Sequence, residues 1–114
     1  MHTYGQNPNF SEALMYYKRA ADLGHSHSAY NAGLMLELGF NGQNPNFAEA
    51  LKYYKISADL GCGLGALNAG CIVAKSFDGQ EADLSAALTF FKRAADLGCE
   101  EANNYIKQFK EMME

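Results

Sequence analysis

The chain has 114 residues, of which 48% are hydrophobic and 19% charged, and its net charge is −4 at neutral pH. That length suits one domain burying roughly 65% of its unfolded surface, and the composition is that of an ordinary globular protein. The acidic balance supplies no field for nucleic acid, no apolar run approaches the ~20 residues of a membrane span, and the opening residues show no signal-peptide pattern.

Three segments share one pattern. GQNPNFSEALMYYKRAADLG begins at Gly5, GQNPNFAEALKYYKISADLG at Gly42 and GQEADLSAALTFFKRAADLG at Gly79, so the copies are 37 residues apart. A fixed period carrying helix-sized apolar patterns is the signature of a stacked helical-hairpin array. Asn7-Pro8 disfavours helix, and Asn9, Asn46 and Asp83 stand at the N-cap positions of the three copies. Glu12 and Glu49 lie three residues on, completing capping boxes, whereas Ala86 leaves the third start weaker.

The helix that follows, here the B type, places Ala13, Tyr16, Tyr17, Ala20 and Leu23 on an apolar side and Ser11, Lys18, Arg19 and Asp22 on the other. Gly24, Gly61 and Gly98 close the three B helices as left-handed C-terminal residues. After each comes a second, A-type helix, near Ser26 to Leu38 and near Leu64 to Ser76, with NAG at 31–33 and 68–70. Ala29, Ala32, Gly33 and Leu36 share one face, repeated by Ala66, Ala69, Gly70 and Val73. A mid-helix Gly costs about 1 kcal/mol against Ala, so the face predicts close approach to a neighbouring B helix.

A second stripe, Asn31, Leu34, Met35 and Leu38, recurs as Asn68, Cys71, Ile72 and Lys75. Helices apolar on two sides are sandwiched or line a groove. The last helix, near Glu100 to Met113, sets Ala102, Tyr105, Ile106, Phe109 and Met113 against polar Asn104, Lys107, Gln108 and Glu111, as a terminal cap of a solenoid does. At the other end the first B helix has no preceding A helix. Either the chain is a piece of a longer array, which is the preferred reading, or it is a permuted set of three units spanning 1–114 as a single domain. Phe10, Ala13, Leu14 and Tyr17 are then an interaction edge, open to a partner or to self-association.

These residues resemble the Sel1-like repeat family, relatives of the tetratricopeptide repeat. The resemblance is carried by AYNAGLML at 29–36, EALKYYKISADLG at 49–61 and FFKRAADLG at 90–98. Glu12, Glu49 and Ala86 replace the family's Lys, Ala32 and Ala69 replace Leu, and Tyr53 or Phe90 stands for Trp. The resemblance implies an all-α, right-handed superhelix of antiparallel helix pairs that serves as an adaptor for protein complexes. A cysteine-rich branch staples its hairpins at positions that are here Ala21, Ala29, Ala58 and Ala66, so its disulfides do not carry over.

Candidate chemistry is sparse. Three cysteines without a CxxC pair argue against a disulfide framework or a zinc site. His25, Cys62 and Cys99 share one repeat position, but neighbouring hairpins stack ~10 Å apart, too far to share one ion. No acid near His25 and His27 completes a catalytic set, and the paired aromatics (Tyr16 and Tyr17, Tyr53 and Tyr54, Phe90 and Phe91) read as core. The expected function is therefore a non-enzymatic, cytoplasmic protein-interaction scaffold without cofactor or metal. It would bind a protein segment along the A helices on a concave face, through Asn31, Leu34, Met35, Asn68, Ile72 and Asn104. The competing structural reading has each Asn bonding within the solenoid. The alternative function is a small-molecule-binding or hydrolytic protein, implied by β-lactam-binding members of the family.

Overall fold

A computed structural model describes residues 10–39, 43–76 and 79–113. Six helices follow one another: α1 Phe10–Asp22, α2 Ser26–Leu38, α3 Phe47–Asp59, α4 Gly63–Val73, α5 Leu84–Asp96 and α6 Glu101–Met113. Among the described residues there is no strand, and the helices form a solenoid of 58 × 28 × 22 Å. Each helix packs on its chain neighbours, most extensively α2 on α3 and α4 on α5. The expected all-α array is what the chain builds.

Local signals set the boundaries. The Glu49 amide donates to Asn46 Oδ1 at 3.0 Å, and the Ala86 amide to Asp83 Oδ1 at 2.9 Å. The N-cap half of the second capping box thus forms, but its return half does not. The Glu49 carboxylate instead pairs with Lys18 Nζ at 2.8 Å, tying α1 to α3, while the Asn46 amide donates to the Leu36 carbonyl. The first capping box, at Asn9, lies outside the described residues. Each B helix ends in the same pair of turns: the amides of His25, Cys62 and Cys99 reach back to the carbonyls of Ala20, Ser57 and Ala94. That 6→1 closure needs a residue with positive φ between, and Gly24, Gly61 and Gly98 sit at 95°, 100° and 96°.

Two boundaries and one face differ from expectation. α4 stops at Val73 rather than near Ser76, because Ser76 occupies the repeat position where Gly39, at φ 65°, caps α2. Tyr16 and Leu23 are 55% and 76% exposed, so they leave the apolar side of α1. Leu23 belongs to the closing turn rather than to the helix, and Tyr16 lies one residue, or ~100°, from the position that packs inward, Tyr17.

The core is built from small residues, the aliphatics Leu36, Leu67 and Ile72, and buried rings. Tyr54 and Phe91, 37 residues apart, are both fully buried. Each lies in a recess made by a glycine of the preceding A helix. A Cβ on Gly33 would sit 2.5 Å from Tyr54 Cε1, and one on Gly70 would sit 2.6 Å from Phe91 Cε1. The NAG glycines are thus what allow an A helix to close over the ring of its B partner, as their cost in helix propensity required.

Candidate functional site

The repeat supplies its own reference for what is covered and what is open. Clefts lined by Leu14, Lys18 and Glu49, and one repeat on by Leu51, Lys55 and Ala86, occupy 310 and 420 Å³ on the loop side. These recur with the period. A third hollow does not. It is an open groove of 350 Å³ between α1 and α2, lined by Phe10, Ala13, Tyr17, Asn31, Leu34, Met35 and Leu38. Its walls are almost wholly apolar, with Asn31 and the Tyr17 ring edge as the polar elements.

Two separate sequence expectations meet in this groove. Phe10, Ala13 and Tyr17 come from the interaction edge of α1; Asn31, Leu34 and Met35 come from the second stripe of α2. Leu14, expected with the edge, packs instead against the core beside α3.

The remaining stripe residues are placed elsewhere. Ile72 has 0% exposure and belongs to the core shared by α2 and α3, so it has no surface to offer a ligand. Asn68 is half-buried on α4, near the Tyr54 hydroxyl. Asn104 is exposed on α6, one residue off the repeat position, which Tyr105 fills. Of this stripe in α4 only Ile72 is fully buried; Cys71 is half-buried beside Tyr105 of α6, and Lys75 is exposed.

The Tyr54 hydroxyl makes the contact between α2 and α3 specific. It donates to Glu37 Oε1 at 2.6 Å, across from α3 to α2. Burial, and then the neighbouring Glu37 carboxylate, push its pKa well above the ordinary tyrosine range, while Asn68 acts in the opposite direction. The hydroxyl therefore stays a donor at any working pH. One repeat on, the ring is Phe91 and the residue 37 positions after Glu37 is Ala74. Hydroxyl and carboxylate are present together or absent together. Tyr54→Phe should accordingly cost about 1–3 kcal/mol by leaving the Glu37 carboxylate without this partner. Urea denaturation with an unchanged slope checks it; stability within 0.5 kcal/mol of the parent would remove the hydroxyl from the account.

Little else could do chemistry. Cys62, Cys71 and Cys99 are free thiols, and burial raises the pKa of Cys71, keeping it protonated beside Tyr105. Among the described residues no three His, Cys, Asp or Glu side chains converge as a metal site would, and no helix is long and apolar enough to cross a membrane.

The model of the Sel1 repeat family matches residues 1–25, 26–62 and 66–99. The last two segments keep the period but start from the A helix, pairing α2 with α3 and α4 with α5. Among solved structures, a Sel1 repeat protein from Oxalobacter formigenes is 28% identical and superposes with a TM-score of 0.72, over 84% of this chain and 38% of that one. The chain thus spans less than half the length of that relative. No curated protein matches the sequence.

Proposed function

The chain belongs to the Sel1 repeat family, whose members are generally protein–protein interaction scaffolds, and from that premise we propose that it is a non-enzymatic adaptor whose partner seats in the α1–α2 groove. The observation that carries this reading is the groove itself: an apolar trough that the next repeat fills with protein and this one leaves open. Asn31 is its polar anchor, with Leu34 and Met35 taking apolar side chains of the partner. The three free thiols, with alanine at Ala21, Ala29, Ala58 and Ala66, suit a reducing, cytoplasmic setting.

The test is site-specific photo-crosslinking in cells. A crosslinker at Met35, in the groove, should capture one or a few discrete proteins, whereas one at Thr89, exposed on α5, should capture none of them. Equal capture from both positions would sink the groove as the partner site. Small-molecule binding finds no comparable support, because the groove is open and nearly devoid of polar groups to orient a ligand.

A further inference from the structure

The two loop-side clefts are copies of one another, and they differ chiefly in charge. In the first, Lys18 lies 5.7 Å from the centre of the Tyr53 ring and its ammonium is held by the Glu49 carboxylate at 2.8 Å. In the second, Lys55 lies over the Phe90 ring in the same way, at 6.0 Å, but Ala86 stands where Glu49 does. No carboxylate among the described residues is within ion-pair distance of Lys55. The smaller side chain goes with a larger cleft, 420 against 310 Å³. Every helix that borders it, α3, α4 and α5, has a helix before and after it in the chain, so its openness belongs to the fold and not to an end of the array.

The acids of the second cleft stand on its loop wall instead, where Glu81 and Asp83 replace Asn44 and Asn46. Asp83 also accepts from the Ala86 amide as the cap of α5. Between the two walls lie the half-buried apolar side chains of Leu51, Val73 and Phe90. The first cleft therefore satisfies its charge internally and has a neutral rim. The second keeps a cation on one wall and two anions on the other, separated by an apolar floor.

An occupant gains at both walls if it turns an acid toward Lys55 and a base toward the loop. In an extended chain residues i and i+2 point to the same side, ~7 Å apart, and the stem of a lysine or arginine covers apolar surface beneath its charged head. We infer that the α3–α5 cleft binds an extended segment of a partner protein that carries an acidic and a basic side chain two residues apart, the acid accepting from Lys55 and the base donating to Glu81. The cleft is open on its solvent side, which suits a segment crossing it better than a small zwitterion, whose surface it does not enclose. This site is independent of the α1–α2 groove.

The probe is a fluorescein-labelled, capped peptide, Thr-Glu-Thr-Lys-Thr, whose β-branched residues favour an extended backbone. Titrated into the full chain by fluorescence anisotropy, it should bind, and placing Gln at its acidic or its basic position should weaken binding about fivefold, the upper range for a partly exposed ion pair. Lys55→Gln in the chain should weaken the parent peptide by the same factor and leave the analogue with Gln at the acidic position unaffected. Glu81→Gln should behave likewise toward the basic position. Ala86→Glu copies the carboxylate of the first cleft into the second; it should pair with Lys55, fill the cleft and weaken binding about tenfold or more without lowering the melting temperature. Unchanged binding by Ala86→Glu, or equal losses for the parent peptide and its Gln analogue on Lys55→Gln, overturns the inference. So does a peptide that does not bind at all. Displacement of the peptide by millimolar free glutamate or lysine would make a small zwitterion the occupant and overturns it too.

Discussion

Phe91→Ala is expected to lower the stability of the chain by about 3–5 kcal/mol, the range for truncating a fully buried aromatic. The ring is 0% exposed and lies in the Gly70 recess. It stacks on Tyr105 at 4.9 Å and 22° between planes, and meets the edge of Phe109 at 5.1 Å and 73°. These two rings are the largest apolar groups α6 sets against the core, so the loss should fall on one end of the array. In a solenoid each unit is held by its neighbours alone, which makes local loosening separable from global unfolding. Amide exchange should therefore show α6 losing protection well before α2. Tyr17→Ala, at the same repeat position on the open edge, should cost less, because that ring is half-buried and has no helix over it. Equal losses for the two substitutions would mean that closure by the following and preceding helices contributes nothing, and the nested packing described for Tyr54 and Phe91 would be wrong.

What could be read from the sequence was whatever is local or repeats. The caps at Asn46 and Asp83 and the positive-φ glycines at 24, 61 and 98 depend on a few consecutive residues, so their chemistry is written in order along the chain. The NAG glycines were legible because a costly residue recurring at one position of a helix implies a contact. Neighbour identity was not legible. α4 is apolar on nearly all sides, and periodicity assigns angles around a helix without saying which angle faces what, so Ile72 falls on the same stripe as the groove residues although it is fully buried. The Tyr16–Tyr17 pair failed for a related reason: adjacent aromatics differ by ~100°, and both fit a broad apolar face. Residue type points to Asn104, whereas the 37-residue period points to Tyr105. The groove needed both kinds of information. Its two walls were each visible as apolar stripes, but only the fold brings the stripe of α2 beside the edge of α1.

Gly65→Ala should destabilise the chain by about 1–3 kcal/mol, as an overpacked helix contact does, although alanine is the better helix former. The reason is Ser57. A Cβ on Gly65 would collide with Ser57 Oγ and lie 3.0 Å from Ser57 Cβ and from the Tyr54 carbonyl oxygen. The hydroxyl has nowhere to turn: Ser57 is fully buried and donates to that same Tyr54 carbonyl at 2.8 Å. The chain contains its own control, since the equivalent pair in the last hairpin is Ala94 with Ala102, both fully buried. Two small methyl groups share that contact there, whereas the buried Ser57 hydroxymethyl fills the space that a methyl at position 65 would need. Ser57→Ala alone should therefore be nearly neutral, because the Tyr54 carbonyl keeps its helical partner and alanine favours helix. The double substitution should recover most of the loss, with a coupling of about 1–2 kcal/mol between positions in direct contact. Recovery should be incomplete, since the 3.0 Å contacts remain and α4 must shift by a few tenths of an ångström to relieve them. Urea denaturation of all four proteins measures the cycle. Simple additivity would show that Gly65 is tolerated for some reason other than the serine across the helix interface.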